Sequence, residues 1–208
     1  LNIPILGSPE QKIYDGQKPK TLAVLGTDFE GLKPKMLIAE GDKVKRGTPL
    51  FCHKDFPEIM YVSPCKGHIE SINRGERRIL LSVVIAIENL SDNGINFIEL
   101  HNKIKPEAEF IKKCLLDSGL WSSFLTRPYS KVPSPNSEPS SIFVTAMDTE
   151  PLCPDADLII NNNLDAFKEG IKRISLLTKG NVFTCKKKDS QIEIENFKTY
   201  EFDGPHPA

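Results

Sequence analysis

Apolar residues between positions 21 and 88 occur in short runs that glycine and proline interrupt. The runs are rich in Val, Ile, Leu and Phe and are bounded by turn-forming residues, a pattern typical of β-strands. The predicted strands cover residues 21–25, 36–39, 49–53, 60–62, 68–73 and 80–88. We therefore predict a compact all-β module over residues 21–100.

The first twenty residues differ from this module, because prolines and glycines interrupt them at Pro4, Gly7, Pro9, Gly16 and Pro19. Breakers at this density disfavour both a helix and a central strand. Residues 1–20 are therefore predicted to form an irregular arm.

After position 100 the spacing of apolar residues becomes helical. Pro106 suits the first position of a helix, and Gly119 suits the position just past its end. The apolar residues of this predicted helix share one face: Phe110, Ile111, Cys114 and Leu115. The spacing predicts a short amphipathic helix.

The rest of the chain alternates between strand-like and helical segments. A buried strand is predicted at 142–146, followed by an apolar run at 158–160, a helix at 164–178 and a strand at 181–185. This alternation is typical of an α/β layer with parallel strands. We predict a partial, Rossmann-like α/β domain over residues 101–208, truncated at its C-terminal end. The overall class is thus α+β with an α/β part.

Charge and apolar content exclude several functions. The 208 residues carry 27 Lys and Arg against 28 Asp and Glu, a formal net charge of −1 at pH 7. We expect no nucleic-acid partner, because the chain lacks the positive field that phosphate backbones require. The apolar stretch at 79–87 is far shorter than the roughly 20 residues that cross a bilayer.

The five cysteines are odd in number, widely spaced and without a CxxC pair. This usage favours reduced thiols and gives no iron–sulfur or structural zinc motif. Cys52 and His53 are neighbours on a predicted strand and point to opposite faces, so they cannot both ligate one ion, and Cys65 and His68 alone are an incomplete ligand set. We expect no metal site.

One motif identifies the fold of the β module. Gly41, Val44, Gly47 and Leu50, followed by a Ser-Pro-Cys-Lys-Gly stretch that ends at Gly67, match the pattern G-D-x-V-x-x-G-x-x-L…[AS]-P-x-x-G. The glycines permit tight turns, and the apolar residues fill a small sandwich. The motif resembles the biotinyl/lipoyl-type barrel-sandwich hybrid.

In true carriers of that fold, the modified lysine lies about eight residues before the proline of this motif. Here that position is Phe56, and Lys54 lies two residues too early. We therefore predict no covalent biotin or lipoate, and modification of Lys54 remains a rival hypothesis.

Several unrelated stretches agree, in order, with one family. They are residues 5–9, 117–121, 126–133, 143–151 and 202–208. Together with the β module they closely resemble the A subunit of the bacterial sodium-translocating NADH:quinone reductases. Because members are longer, and because the chain opens at Leu1 and closes on a turn-rich stretch, we expect an N-terminal fragment.

The resemblance implies a peripheral component on the cytoplasmic side of the bacterial inner membrane. It would belong to a sodium-pumping NADH:ubiquinone oxidoreductase, with the other subunits as partners. The resemblance associates it with ubiquinone as the substrate and assigns flavins and NADH oxidation to those other subunits. The fragment alone is expected to have no turnover.

A second resemblance concerns the FMN phosphate loop of the NADH-binding subunit of complex I. This chain keeps Ser118, Gly119 and Leu120 but replaces every later glycine of that loop. Phosphate cradles need close backbone approach, which Trp121 and Phe124 would block. We predict no FMN here, although a flavin-dependent NADH dehydrogenase with a degenerate loop stays an alternative.

A quinone site needs an apolar cleft with one or two hydrogen-bond donors. Two segments are candidates, the loop at residues 26–32 and the stretch at residues 121–131. Arg127, Tyr129 and Lys131 would be the donors. The predicted quinone-binding residues are Phe29, Leu32, Trp121, Phe124, Arg127, Tyr129 and Lys131. The alternative is that the aromatic residues only pack between the two domains, which would make the chain a structural docking scaffold.

Overall fold

The computed structural model describes residues 6–7 and 9–204. Its contacts divide the chain into two compact units. One unit runs from Gln17 to Ser137, and the other combines the residues before Gln17 with those after Ser137. The predicted boundaries at 20/21 and 100/101 stay predictions. The family-like stretches at 5–9 and 202–208 lie partly outside the described residues.

The β module of the first unit contains two antiparallel sheets. One sheet has the strand order β1, β7, β6, β3, and the other has the order β2, β4, β5. Their bounds are β1 Thr21–Leu25, β2 Pro34–Met36, β3 Lys43–Val44, β4 Pro49–His53, β5 Met60–Val62, β6 Lys66–Arg74 and β7 Leu80–Asn89.

The core of the module follows from the alternation of its strands. Ile69, Val83 and Ile85 are at most 1% exposed, as are Leu50 and Phe51 of the other sheet. Side chains alternate along β6 and β7 and bury one face of that sheet, whereas Leu50 and Phe51 are consecutive, so β4 is buried on both faces. The apolar faces of both sheets are therefore enclosed within this unit.

The strand prediction for the module needs two corrections. The strand predicted at 36–39 lies earlier, at Pro34–Met36, because its hydrogen-bonded partner is the β4 segment Phe51 to His53. The two-residue strand Lys43–Val44 was not predicted, since its pairing with His68 and Gly67 leaves no local pattern. The other predicted strands of the module are present.

Two helices complete this unit, α1 Phe97–His101 and α2 Glu107–Asp117. Pro106 lies one position before α2, as its N-cap. The buried residues of α2 are Ile111 and Leu116, so the predicted apolar face is rotated toward Leu116.

The second unit contains a parallel sheet with the strand order β10, β9, β8. The connection from β8 to β9 contains two helices. The bounds are β8 Ser141–Ala146, α3 Ala156–Asn161, α4 Leu164–Ile174, β9 Asn181–Lys187 and β10 Lys198–Phe202. The parallel α/β layer that the alternation predicted is therefore present.

One face of this sheet packs on α4. Ile142, Val182 and Ile171 form a buried cluster, and Phe167 and Ile174 pack against it. The three α4 residues of this group follow the helical spacing that predicted a buried stripe. The α4 helix is shorter than predicted, because the chain tightens into a 3-10 turn at Ser175–Leu177.

One prediction for this unit was wrong. The strand at 142–146 is buried on one face only, because Phe143 is 65% exposed. The apolar run Leu158 to Ile160, which the sequence assigned to no element, lies in helix α3, where the Asp155 side chain accepts a hydrogen bond from the Asp157 N–H and caps the helix. Among the described residues, no helix combines the length and apolar character that crossing a bilayer requires.

Candidate functional site

Phe29 follows a 3-10 turn at Gly26–Asp28 that connects β1 with the second sheet. Its ring meets that of Tyr61 edge to face, with 4.6 Å between the centroids, and Tyr61 stacks on Phe51 at 4.7 Å. Burial raises the pKa of Tyr61 to about 12. Phe29 and Leu32 are both half-buried, so this loop is held by aromatic packing while part of it remains accessible.

Trp121 lies in a 3-10 turn at Leu120–Ser123, directly after Gly119. Its indole is 6% exposed and donates from Nε1 to the Pro133 carbonyl at 2.9 Å. Phe124 packs on it edge to face, with centroids 5.5 Å apart. The indole N–H is therefore already engaged within the protein, and it is not available as a donor to a ligand.

The three predicted donors lie in the tight turn from Thr126 to Lys131. The Thr126 N–H donates to the Lys131 carbonyl at 2.8 Å, and the Ser130 N–H donates to the Thr126 carbonyl at the same distance. Arg127 donates from Nη1 to the Ser130 hydroxyl at 3.3 Å. Tyr129 is 75% exposed at the tip. The turn is fixed by its own hydrogen bonds and presents its donors to solvent.

Apolar side chains lie beside these donors in the chain. Leu120 is 56% exposed and Leu125 is 59% exposed, while Phe124 is half-buried. An exposed apolar group next to hydrogen-bond donors is the combination that an amphipathic ring ligand requires. Exposed apolar side chains and hydrogen-bond donors therefore occur together within the short segment from Leu120 to Lys131.

The structure brings both candidate segments to the same strand, β5. Phe29 contacts the Tyr61 ring, and Gly119 lies against the backbone of Met60 and Val62. Two concavities of the described residues, one beside Tyr200 and one beside Asp148, contain none of the predicted quinone residues. Phe29 and the start of the Trp121 segment therefore both lie beside β5, while no described contact links the turn at Thr126 to Lys131 with Phe29.

A crevice in the second unit was not predicted as a site. It has a volume of about 360 Å³ and lies at the carboxyl ends of the three parallel strands, next to Ala146, Lys187 and Phe202. Its walls are acidic, with Asp148, Glu150, Asp155, Asp157 and Asp203 among the lining residues. The carboxyl ends of parallel strands commonly form ligand crevices. The sequence feature that could have indicated this crevice is the position of residues 147–150, directly after a predicted strand.

Internal contacts engage three carboxylates of this crevice. Asp157 accepts a hydrogen bond from Ser190 at 2.8 Å, and Asp155 lies 3.8 Å from the Lys187 ammonium. Asp203 pairs with Lys188 at 3.3 Å. Such walls disfavour phosphate groups by like-charge repulsion. Among the described residues, no three His, Cys, Asp or Glu side chains are grouped to hold a metal ion.

Helices α1 and α2 are joined by a small polar cluster. His101 Nε2 lies 2.9 Å from one Asp117 oxygen, and Lys113 Nζ lies 2.8 Å from the other. Burial and then the Asp117 charge raise the pKa of the neighbouring Cys114 thiol. A raised pKa leaves little thiolate at neutral pH, so this cluster joins the helices and does not activate a nucleophile.

The geometry defines a protein with an antiparallel two-sheet β module followed by a parallel α/β layer. Residues 1–88 match the family model described as the NqrA N-terminal barrel-sandwich hybrid domain. Residues 106–208 match the model described as the NqrA second alpha/beta domain. These matches confirm the predicted fold class of both parts.

Similar proteins agree with these models over the whole chain. The A subunit of the Na(+)-translocating NADH-quinone reductase from Vibrio atlanticus is 42% identical over 210 residues, and that from Neisseria meningitidis serogroup B is 42% identical over 217. The corresponding protein of Serratia proteamaculans is 44% identical over 221 residues. Each alignment covers 100% of this chain and 47% of the relative.

The chain therefore belongs to the NqrA family, the A subunits of the Na(+)-translocating NADH-quinone reductases, as the sequence predicted. It spans about half the length of the curated relatives that it matches.

Proposed function

We propose that this chain contributes quinone binding and subunit docking to a sodium-pumping NADH:ubiquinone oxidoreductase, without a flavin of its own. The observation that carries the proposal is the 42% identity over the whole chain to proteins named as the A subunit of an NADH-quinone reductase. In this proposal the protein is peripheral and lies on the cytoplasmic side of the bacterial inner membrane. Its partners are the other subunits of the complex.

The turn from Thr126 to Lys131 supports the quinone part of the proposal. Its hydrogen bonds hold the turn in one shape, so the Tyr129 hydroxyl can donate to a quinone carbonyl with little loss of backbone freedom. The apolar rings of Phe124 and Phe29 are both half-buried and offer contacts to a quinone ring. Arg127 and Lys131 supply further donors at the same end.

Steric reasoning supports the absence of flavin. The residues after Gly119 form a 3-10 turn in which the Trp121 indole occupies the interior and packs on Phe124. An FMN phosphate would need that space and a series of free N–H groups. In this proposal the electrons reach the quinone from flavins held by other subunits.

The test uses the single tryptophan of the chain, Trp121, as the reporter. Purified protein is titrated with a short-chain ubiquinone while tryptophan fluorescence is followed and corrected for absorption by the quinone. We expect saturable quenching. Tyr129→Phe removes one hydrogen bond and should weaken binding about fivefold, and Phe124→Ala should weaken it further.

Tyr200→Phe is the matched control, because Tyr200 is likewise an exposed tyrosine, at 52%, but lies in the other unit. It should leave the titration unchanged. Quenching that is linear in quinone concentration, or equal in all variants, would contradict quinone binding at this turn.

A docking scaffold without a ligand is the second candidate, and one observation favours it. Trp121 is almost fully buried and its N–H is already bonded to Pro133, as expected of a packing residue. If the scaffold hypothesis is right, short-chain ubiquinone will neither quench Trp121 saturably nor raise the thermal midpoint. A yellow protein with a flavin absorbance band would contradict both candidates.

A further inference from the structure

The parallel sheet of the second unit has an aromatic face that is open to solvent. Phe143 stacks on Phe183 with 5.0 Å between the ring centroids, and Phe183 lies 5.7 Å from Tyr200. The three rings belong to β8, β9 and β10, so they form one row across the whole sheet. Phe143 is 65% exposed and Tyr200 is 52% exposed.

The opposite face of the same sheet is covered. It carries Ile142 and Val182, which are buried against Ile171 of α4. Parallel sheets occur almost only with both faces covered, because their strands are apolar on both sides. A row of three neighbouring aromatic rings, of which two are more than half exposed, is therefore unusual for this kind of sheet.

We infer that, in the full-length protein, the chain segment that follows residue 208 packs on this aromatic face. The relatives are about twice as long as this chain, which covers 47% of them. The family models matched here are those of the N-terminal and second domains, so the remaining part of a relative follows them. This inference goes beyond quinone binding and does not depend on it.

The connections between strands support this occupant. The crossover from β8 to β9 places α4 on the face that carries Ile142 and Val182, and right-handed crossovers that continue in the same direction stay on that face. To cover the other face, the chain must cross back over the sheet toward the free edge of β8. The segment that follows β10 can make this crossing.

The last residue of β10 also belongs to the aromatic face. Phe202 pairs in register with Lys187 of β9, two residues beyond the pair Tyr200 and Cys185, so its side chain points to the aromatic face. Phe202 is 38% exposed. Lys198 lies over the Phe183 ring at 5.8 Å and favours an acidic group at that edge of the occupant. The occupant is therefore an amphipathic segment with an apolar stripe.

The test is photo-crosslinking in the purified full-length protein. Phe143→p-benzoyl-phenylalanine places a photoreactive ring on the face with little change in shape, and irradiated protein is digested and analysed by mass spectrometry. We expect crosslinks within one molecule to peptides beyond residue 208. Tyr200→p-benzoyl-phenylalanine is a second placement in case the first variant does not fold.

Ile159→p-benzoyl-phenylalanine is the control, because Ile159 is 51% exposed on α3 of the same unit. It should give no crosslinks to the peptides that position 143 captures. As a second measurement, Phe143→Asp should lower the thermal midpoint of the full-length protein by at least about 2 °C.

Three outcomes would overturn the inference. Crosslinks from position 143 to residues 17–137 would show that the β module occupies the face. Crosslinks between two molecules would assign the face to a second copy of the protein. An absence of crosslinks, together with an unchanged thermal midpoint for Phe143→Asp, would mean that the face stays open. None of these results depends on whether the protein binds quinone.

Discussion

Phe51 and Phe143 are both phenylalanines on strands, yet their surroundings are opposite. Phe51 is 0% exposed, because the β module encloses the apolar faces of both its sheets within one unit. Phe143 is 65% exposed on a sheet that is covered on one face only. The module therefore buries the core between its strands internally, although Leu25 and Leu81 stay 41% and 43% exposed, whereas the α/β layer presents a row of aromatic rings outward. Sequence hydrophobicity alone does not distinguish the two cases.

The largest expected effect tests this contrast directly. Phe51→Ala should destabilise the chain by about 3–5 kcal/mol, because it removes a fully buried ring that stacks on Tyr61. Phe143→Ala should change stability by about 0.5 kcal/mol or less in the same 208-residue chain. Chemical denaturation followed by circular dichroism measures both values.

If the two units unfold in separate transitions, Phe51→Ala should move only one of them. A cost for Phe143→Ala as large as that for Phe51→Ala would refute the contrast, since it would show that the aromatic face is buried within this chain.

Close backbone approach in the module provides the next test. A Cβ atom at Gly67 would collide with the carbonyl oxygen of Ala86 on the paired strand β7. Gly67→Ala should therefore cost about 3 kcal/mol, since the strands must separate to accept it. Thermal or chemical unfolding of the variant measures this cost.

Gly41→Ala is the matched control, because Gly41 has a φ of +87° and no neighbour near its Cβ position. It should cost about 1 kcal/mol from the backbone conformation alone. Equal costs for the two variants would mean that the paired strands yield easily, and that the module is less tightly closed than the glycine contact indicates.

Alkaline pH tests the same core through a smaller effect. The pKa of Tyr61 is raised by burial from 10.0 to about 12. Between these values the folded state keeps a proton that the unfolded state loses, so the stabilising contribution is full below pH 10 and is lost as pH rises toward 12. Tyr61→Phe, which keeps the ring, should remove this part of the pH dependence.

Absorbance of tyrosinate, recorded from about pH 9 to 12 on the parent and on Tyr61→Phe, gives the measurement. A tyrosine that ionises near pH 10 in the parent and disappears in the variant would contradict the burial of Tyr61.

The β module was predictable because its strands and turns leave local signals. The glycines at 41 and 47 adopt φ of +87° and +91°, as the turn motif required. The strand Lys43–Val44 was not predictable, since two residues show no alternation and their pairing with β6 is a long-range contact. Helix α3 was not predicted, because the three-residue apolar run Leu158 to Ile160 fits either a helix or a strand.

The candidate site was predictable only in part. The aromatic and donor residues could be named from the sequence, but the engagement of the Trp121 N–H by Pro133 depends on a contact twelve residues away. The accessibility of Phe143 was not predictable either, since burial of a strand face depends on which elements cross it. Residue identity indicated the chemistry, and only the fold determined which groups remain free.

Cysteine reactivity provides the smallest and last test of the contrast between the units. Cys65 in the module is 0% exposed, and burial raises the pKa of its thiol. Cys153, beside the crevice of the second unit, is half-buried. At about pH 8 we expect iodoacetamide to modify Cys153 at least about 100-fold faster than Cys65, because Cys65 reacts only through opening of the module. Mass spectrometry of timed digests reports each site.

Cys185 separates two explanations for slow modification. Its thiol pKa is also raised by burial, but it is 9% exposed and lies on the open aromatic face between Thr145 and Tyr200. We therefore expect its rate to lie between those of Cys153 and Cys65. A rate for Cys65 equal to that of Cys185 would mean that the module opens as readily as the α/β layer, and the contrast between an enclosed and an open core would be wrong.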